Sequence, residues 1–242
     1  MSNSIQVRVE RLYLVVSTTK NWPIAILIWL GLINFGLVRF KNDELFKLSK
    51  ANWVQYLERV YLFHYFPDAK IFDEIVKFNY KNKDLVFDCG RYGLGTVLEI
   101  FAGEPYREFF ETTKIKGKTV IDIGAAFGDT AIAFLLAGAG RVYAVEAFPG
   151  YCRLASKNIE TNGNVFMISG CTEQQTSADS FFNNRAQGAM TWALLESLKT
   201  SPTETWRELI KSMRDLLKTS EYDQIPQFAS GKFVDIDSKV FI

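Results

Sequence analysis

Histidine is almost absent from this sequence, because His64 is the only one among 242 residues. One imidazole excludes a histidine-rich metal cluster and severely limits peptidase chemistry that pairs His with Cys or Ser. Cysteine is scarce as well: Cys89, Cys152 and Cys171 lie far apart and form no C-x-x-C pair. This spacing argues against a disulfide framework and against a zinc site, so we expect reduced, mostly buried thiols in a cytoplasmic protein.

An excess of charge of either sign is also missing, since the formal net charge is +1. The sequence therefore lacks the basic field that predicts nucleic-acid binding, and we expect no nucleic-acid partner. Hydrophobic residues make up 48% of the chain and charged residues 23%, which is typical of a globular protein and not of a disordered one. The length suits one large domain or two small ones.

One apolar run, Trp22–Val38, reaches about the shortest length that spans a bilayer. It lacks the charged lead and the cleavage site of a signal peptide, because the residues before it are mixed and partly strand-like. Pro23, Gly31 and Gly36 interrupt the run. We therefore predict a buried or membrane-surface helix followed by a turn. A membrane span is the less favoured alternative.

The first part of the chain, residues 1–110, is predicted to be a lead-in of helices and strands. Apolar residues at loosely helical spacing predict a helix over residues 42–63. Asp84–Asp88 is predicted to be a short strand, and Thr96–Phe110 a helical connector that Pro105 interrupts.

The middle part, residues 111–163, has the clearest pattern. Lys118–Ile123 is rich in β-branched residues, as expected for a strand buried on both faces of a parallel sheet. A small-residue loop, a helix that Asp129 caps, a second strand that ends at Glu146 and a helix that Pro149 opens follow in that order. Their predicted bounds are Gly124–Gly128, Asp129–Ala139, Arg141–Val145 and Pro149–Thr161. This β-α-β-α order predicts two adjacent parallel strands with a right-handed crossover.

Six residues around this loop form the candidate cofactor site: Asp122, Gly124, Ala126, Gly128, Asp129 and Glu146. Gly124 lets the backbone approach a ligand, and Gly128 allows close helix–strand packing. Asp122 can reach an amino group, and the helix N-terminus at Asp129 offers N–H groups to a carboxylate. Glu146 can accept both hydroxyls of a ribose. Because open α/β sheets bind ligands at this edge, the pattern predicts a site for S-adenosylmethionine.

A nicotinamide dinucleotide site is the main alternative for this pattern. It needs G-x-G-x-x-G, so that a pyrophosphate can lie on the helix N-terminus. The glycines here fall at G-x-A-x-G, with Ala126 in the middle, and Asp122 lies two residues before the first of them. A carboxylate in that place repels a pyrophosphate and suits an ammonium group. A βαβ turn that binds no ligand is the other alternative.

VIDIGAAFGDTAI and RVYAVEAFPGYCRLASKNIETNG resemble the FkbM-type S-adenosylmethionine-dependent methyltransferases. The upstream segments NWPIAILIWLGLI and RYGLGTVLEIFAGEPYREFF also resemble that family, so the likeness covers about residues 10–163. It implies cofactor roles for Asp122, Gly124, Gly128 and Glu146, and O-methyl transfer to a small-molecule or sugar acceptor. Everything that the family places after the second helix, including the substrate wall, is missing from this sequence.

The pattern changes after Gly163. A strand, a polar loop and two helices are predicted over Asn164–Ser169, Gly170–Asp179, Gln187–Lys199 and Thr203–Leu217. A capping-box pattern at Ser201–Glu204 precedes the second helix. We expect the strand to join the sheet beside the first pair, with the two amphipathic helices covering one face.

NVFMISGCTEQQTSADS, GAMTWALLESL and EYDQIPQFASG resemble the small-subunit part of a metacaspase, over about residues 164–242. The catalytic His and Cys of that family lie upstream, in His-Gly and Asp-x-Cys motifs, and neither motif occurs in this sequence. Cys171 therefore matches a small-subunit position and not the nucleophile. The resemblance implies a cysteine-peptidase module that needs a partner chain to act.

The predicted fold class is α/β, with a partial Rossmann-like sheet of the class I methyltransferase type. The lead-in precedes this sheet, and a caspase-like strand with two helices follows it. Three hypotheses about function remain. The preferred one is an S-adenosylmethionine-binding methyltransferase, truncated and without activity if the acceptor wall is essential. The others are the peptidase small-subunit module and a chimera of two unrelated fragments with no evolved activity.

Overall fold

The computed structural model describes residues 2–90, 93–163, 165–172, 175, 178–182, 185–201, 204–230 and 235–240. Its mixed α/β structure with several sheets confirms the predicted class at that level. The chain divides into a first unit, Met1–Val86 with Arg91–Glu104, and a second unit, Phe87–Gly90 with Pro105–Ile242. The predicted division into three parts, with boundaries after residues 110 and 163, stays a prediction.

The first unit carries helices and small antiparallel sheets. Its helices are α1 (Ser2–Thr18), α2 (Trp22–Leu30), α3 (Trp53–Tyr65) and α4 (Leu94–Ala102). Its strands are β1 (Phe35–Arg39), β2 (Leu45–Ser49), β3 (Lys70–Phe72), β4 (Ile75–Tyr80) and β5 (Lys83–Asp88). Strands β1 and β2 form one sheet, and β3, β4 and β5 form another in that order. The short strand predicted at Asp84–Asp88 is therefore confirmed.

The apolar run Trp22–Val38 folds as a helix, a turn and a strand. Gly31 ends α2 in a left-handed conformation with a φ of 79°, and its N–H donates to the carbonyl of Ile28 at 3.0 Å. The predicted helix and turn are confirmed, whereas the residues after the turn pair with β2. Among the described residues, no helix combines the length and the apolarity that crossing a bilayer requires.

Two local predictions for the first unit are wrong. The residues before Trp22 form the helix α1 and not a partly strand-like segment. The helix predicted over residues 42–63 is a strand followed by a helix, because β2 pairs with β1. Leu48 lies opposite Gly36 in this pair and is fully buried. Pairing between strands overrode the loosely helical spacing of the apolar residues.

The second unit carries a mixed sheet, a hairpin and further helices. The helices are α5 (Glu104–Thr112), α6 (Asp129–Leu136), α7 (Pro149–Asn162), α8 (Ala189–Thr200) and α9 (Trp206–Thr219). The strands are β6 (Thr119–Ile123), β7 (Arg141–Glu146), β8 (Phe166–Ser169), β9 (Asp179–Phe182), β10 (Arg185–Gly188) and β11 (Gln227–Ser230).

Two predicted boundaries in this stretch need correction, and one hairpin was not predicted. Pro105 lies in the first turn of α5, where proline is tolerated, so the break in the predicted connector falls at Gly103. The helix predicted from Gln187 begins at Ala189. The residues before it form the antiparallel hairpin β9–β10, which the sequence pattern did not predict.

A four-stranded sheet in the order β11-β8-β7-β6 runs through the second unit. Strands β6, β7 and β8 are parallel, and β11 is antiparallel to β8. The predicted adjacent parallel pair is confirmed. The strand predicted after residue 163 also joins it, because Phe166–Ser169 pairs with Tyr143–Glu146. The sheet is therefore continuous across residue 163.

The two C-terminal helices cover one face of this sheet, as predicted. Trp206 is 2% exposed, and its ring centroid lies 4.6 Å from Tyr143, 4.9 Å from Phe166 and 5.6 Å from Phe228. The same cluster includes further apolar residues of α8 and α9: Ala189, Met190, Ala193, Leu194, Leu209, Ile210, Met213 and Leu217. Side chains from both sides of residue 163 therefore share one apolar core.

Helix α9 begins with a capping box that differs from the predicted one. Thr205 is the N-cap: its Oγ1 accepts from the N–H of Glu208 at 3.3 Å, and its own N–H donates to Glu208 Oε2 at 2.8 Å. The capping box predicted at Ser201–Glu204 is wrong, because the helix begins at Trp206 with Thr205 as its N-cap. Pro202 and Thr203 lie outside the described residues. The sequence holds the same T/S-x-x-E spacing twice, and the pattern alone does not distinguish the two.

Trp206→Ala is expected to lower the free energy of unfolding by about 3–5 kcal/mol, because it leaves a cavity among three rings. Urea denaturation followed by far-UV circular dichroism measures this change. Leu195→Ala on α8 is the control, since Leu195 is 45% exposed and should change the free energy by less than about 0.5 kcal/mol. Equal effects of the two substitutions would show that Trp206 does not anchor the core.

Candidate functional site

The loop after β6 turns back at the carboxyl end of the sheet. Gly124, Ala126 and Gly128 have positive φ angles of 85°, 40° and 76°. The N–H groups of Gly124 and Ala125 both donate to the carbonyl of Val145 on β7, at 2.8 and 3.1 Å. A positive φ at Ala126 is unfavourable because its Cβ crowds the backbone, so the surrounding contacts must hold this residue in place.

Glu146 supplies the contact that holds the loop. Glu146 is 8% exposed, and its Oε2 accepts from the N–H of Ala126 at 2.9 Å while its Oε1 accepts from the N–H of Phe148 at 2.7 Å. Phe148 is the N-cap of α7, a helix end that favours negative charge. One buried carboxylate therefore joins the loop after β6 to the turn after β7.

Asp122, the last residue but one of the strand β6, has an unpaired oxygen. Its Oδ2 is buried and has no hydrogen-bond partner within the described part of the chain. Burial, with smaller contributions from the negative charges of Asp129 and Glu146, raises the pKa of Asp122 to about 6. An ammonium group is the complementary partner, because it would satisfy this oxygen and favour the charged carboxylate.

The two glycines of the loop have different surroundings. A Cβ at Gly124 would meet no atom within 4 Å, so open space lies beside this residue. At Gly128 a Cβ would lie 3.2 Å from Ile159 Cδ1 and 3.3 Å from the carbonyl oxygen of Ala155. Gly128 therefore allows close packing against α7. The sequence pattern had predicted close packing between a helix and a strand at this position, and that prediction is wrong. Gly124 is the point at which a ligand can approach the backbone.

Asp129 is the first residue of α6 and not its N-cap, which is Gly128. The side chain is 3% exposed, and its Oδ1 accepts from the N–H of Thr130 at 3.0 Å. The predicted capping role is wrong, because the carboxylate bonds within the first turn, where negative charge is also favourable. The structure thus brings the six predicted residues to one loop, two strand ends and the first residue of α6. Their cofactor role stays a prediction.

Asn158 fixes this region in a way that the sequence pattern does not reveal. It is 1% exposed, and its Oδ1 accepts from the N–H of Asp88 at 2.7 Å. Its Nδ2 donates to the carbonyls of Asp88 and Phe127, both at 3.0 Å. The side chain therefore ties the segment 87–90 to the loop before α6. An exposed asparagine on an amphipathic helix would give the same sequence pattern, so no signal distinguishes it.

Two glutamines hold the SGC-x3-QTSAD segment. Gln175 Oε1 accepts from the N–H of Ile225 at 3.1 Å. Gln224 is 5% exposed, and its Oε1 accepts from the N–H of Ala178 at 2.8 Å while its Nε2 donates to the carbonyl of Gly170 at 3.2 Å. These contacts attach the segment to the chain just before β11. Residues 173, 174, 176 and 177 lie outside the described residues.

All three cysteines are buried, which confirms the predicted burial of the thiols. Cys152 Sγ donates to the carbonyl of Glu146 at 3.3 Å, and Cys171 Sγ donates to that of Gln175 at 3.5 Å. Burial raises the pKa of the Cys152 thiol to about 12 and also raises the pKa of Cys171. Thiols in this condition are protonated at neutral pH and react slowly.

A comparison with known families covers most of the chain. A family model described as the caspase domain matches residues 61–235. The chain belongs to the caspase-domain family. The match crosses residue 163, so this caspase-domain chain carries family likeness on both sides of the point where the sequence pattern changes.

Metacaspases are among the relatives of this caspase-domain chain. Metacaspase-1 of Meyerozyma guilliermondii is 42% identical over 74 residues, which are 31% of this chain and 18% of that protein. Metacaspase-1A of Neurospora crassa is 40% identical over 74 residues, which are 31% of this chain and 16% of that protein. The matched part therefore spans less than a fifth of the length of either relative.

Solved structures give a weaker likeness. A Streptococcus mutans protein described as a SAM-dependent methyltransferase is 16% identical, with a TM-score of 0.30, and the match covers 38% of this chain and 24% of that one. A likeness at this level carries no argument about fold or activity. The FkbM-type resemblance and the partial Rossmann-like sheet of methyltransferase type stay predictions.

Asp122→Asn is expected to change how the stability of this caspase-domain chain depends on pH. The folded-state pKa of Asp122 is about 6 against an ordinary 3.8, so its unfavourable contribution is absent below pH 3.8 and grows as the pH rises towards 6. At pH 7 the variant should therefore be more stable by up to about 3 kcal/mol, and at pH 3.5 it should match the native chain.

Urea denaturation at a series of pH values measures this difference. Glu160→Gln is the matched control, because Glu160 is an exposed carboxylate on α7. If the free energies of unfolding of the native chain and of Asp122→Asn differ by a constant amount from pH 3.5 to 7, Asp122 does not carry the raised pKa.

Proposed function

We propose that this caspase-domain chain supplies the small-subunit half of a cysteine peptidase and does not hydrolyse peptides alone. The match over residues 61–235 and the metacaspase relatives support the peptidase family. The second unit supports the small-subunit assignment, since β8 pairs with the antiparallel β11 and α8 and α9 cover one face of the sheet. A partner chain would then contribute the histidine and the nucleophilic cysteine.

The state of the thiols is the observation that carries this proposal. A peptidase nucleophile must be accessible, and it needs a lowered pKa or a base within hydrogen-bond reach. Cys89, Cys152 and Cys171 are 3%, 7% and 2% exposed. Burial raises the pKa values of Cys152 and Cys171. These thiols therefore have the properties of core residues and not of nucleophiles.

His64 has the surroundings of a packing residue. It lies on α3 of the first unit, where its ring centroid is 6.5 Å from that of Tyr13 and 5.0 Å from that of Tyr65, both edge-on. Aromatic packing of this kind positions the ring without polarising it. A general base needs, in addition, a partner that orients the imidazole towards a thiol.

The full chain is expected to leave fluorogenic peptides that end in Arg or Lys uncleaved, because it holds no activated thiol. In the same sample, Ellman's reagent should modify Cys152 at least about a thousandfold more slowly than in urea. The thiolate fraction falls by that factor when the pKa is about 12 instead of the ordinary ~8.5. Cleavage by the chain alone that Cys171→Ala or Cys152→Ala abolishes would contradict the proposal.

We propose as a second function that the loop after β6 binds an S-adenosyl amino acid. The buried, unpartnered Oδ2 of Asp122 favours it, since an ammonium group would give this oxygen a charge-assisted hydrogen bond. Open space beside Gly124 leaves room for the ligand. When bound, S-adenosylmethionine would supply an electrophilic methyl group, and the FkbM-type resemblance implies a hydroxyl of a small molecule or sugar as acceptor.

Each residue would have a separate task in that binding. Asp122 would hold the amino group, and the N–H groups at the start of α6 would face the carboxylate. Glu146 already accepts two backbone N–H groups, but a carboxylate has about four acceptor positions. It can therefore accept the two ribose hydroxyls without releasing Ala126 or Phe148.

S-adenosylhomocysteine at millimolar concentration is expected to raise the melting temperature of the full chain, because a ligand of the folded state stabilises it by mass action. Asp122→Asn should weaken binding about tenfold, since it removes the charge that faces the ammonium group. Affinity for the native chain should rise as the pH passes through about 6, where Asp122 ionises.

Glu160→Gln is the control for the loss of one carboxylate and should leave the shift unchanged. Glu146→Ala is a poor probe, because it would also release the N–H groups of Ala126 and Phe148. A folded sample whose melting temperature does not respond to the ligand would rule out the second function and leave the first untouched.

A further inference from the structure

The first unit contains an apolar groove that neither proposed function uses. It lies between α1, α2 and α3 and encloses about 530 Å³. Its walls include the indole rings of Trp29 and Trp53 and the aliphatic side chains of Leu12 and Leu57. This volume falls within the range of roughly 300–1,000 Å³ that is typical of small-molecule sites.

The groove is open to solvent despite its apolar walls. Trp29 is 52% exposed and Leu12 is 47% exposed. Val9, another lining residue on α1, is 61% exposed. Contiguous exposed apolar surface on a folded protein marks a place where a ligand or partner binds, because water contact there is unfavourable.

Arg11 is the charged member of this lining. It is exposed and, within the described part of the chain, forms no ion pair. A guanidinium group beside an apolar groove is complementary to a ligand with an anionic head and an apolar body.

The lining also restricts the kind of ligand. Among the lining residues that the structure describes, the polar side-chain groups besides Arg11 are the indole N–H groups of Trp29 and Trp53. A peptide in this groove would leave backbone N–H and C=O groups without partners, which is unfavourable. A hydrocarbon chain has no such groups, so it can lie against these walls without loss.

We propose that this groove binds a single-chain anionic amphiphile, with the hydrocarbon chain between Trp29 and Trp53 and the carboxylate on Arg11. The ligand class is a free fatty acid. The site is separate from both functions proposed above, and its test does not depend on either.

Isothermal titration of the full chain with dodecanoate, kept below its micelle concentration, tests the proposal. Saturable binding of one dodecanoate per chain is expected. Dodecyltrimethylammonium, which has the same chain and the opposite charge, should bind at least about tenfold more weakly. Equal affinity for the two amphiphiles would overturn the role of Arg11.

Two pairs of variants test separately the contacts of the carboxylate and of the hydrocarbon tail of dodecanoate. Arg11→Gln should weaken dodecanoate binding about tenfold, whereas Lys70→Gln, at an exposed cation on β3, should not change it. Leu12→Glu places a carboxylate in the groove and should weaken binding by more than about tenfold. Leu32→Glu is its control, because Leu32 is 67% exposed and does not line the groove.

Circular dichroism checks that each variant is folded, and Trp29→Ala replaces Leu12→Glu if the latter does not fold. The proposal is overturned if dodecanoate produces no saturable heat, or if Arg11→Gln and Leu12→Glu bind it as the native chain does. Binding to phosphatidylglycerol vesicles without any response to dodecanoate would also overturn it, since adsorption to a bilayer surface needs no groove.

Discussion

The buried carboxylate of Glu146 is the contact on which the carboxyl edge of the sheet depends. It binds the N–H groups of Ala126 and Phe148, which belong to the turns after two neighbouring strands. Without it the half-buried Ala126 would lose the hydrogen bond that holds its positive φ, and the N–H of Phe148 would lose its acceptor. The loop, the start of α7 and the register of β6 against β7 are therefore one cooperative feature. A carboxylate suits this position because it can accept from both turns at once and lies at a helix N-terminus.

That arrangement has an electrostatic consequence. Burial, with smaller contributions from the negative charges of Asp129 and Glu146, makes the charged form of Asp122 unfavourable. A group that is destabilised in the folded chain and has no partner is common where a ligand completes the site, since such strain persists only if it serves a purpose or cannot be removed. The same reasoning separates Asp122 from the thiols. Burial also raises the pKa values of Cys152 and Cys171. Each of these thiols donates a hydrogen bond to a backbone carbonyl, so neither needs a further partner.

The sequence predicted the stretch from β6 to α7 well because each element there carries its own local signal. β-branched residues marked the strands, Pro149 marked a helix start, and the spacing of Gly124 and Gly128 marked the loop. The pairing of the strand after residue 163 could also be predicted, because an apolar strand must bury its side chains and pair its backbone groups in a sheet. Elsewhere distant contacts decided. Leu48 lies in a strand because β2 pairs with β1, and the buried side chain of Asn158 bonds to the backbone of Asp88. Neither contact can be read from the local spacing of residues. The Ser201 cap failed because two equal capping patterns lie four residues apart.

The shared core limits how the two proposed functions can relate to each other. Tyr143 on β7 packs against Trp206 of α9, and its hydroxyl donates to the carbonyl of Val240 at 2.9 Å. The segment after residue 163 thus buries its helices on a strand from before that point, so it has no separate core of its own. A small-subunit role for residues 164–242 therefore needs β7, because Tyr143 and Val145 of that strand belong to the core that α8 and α9 cover. Glu146 ends the same strand, so a ligand bound there would stabilise the fold that includes α8 and α9 by mass action.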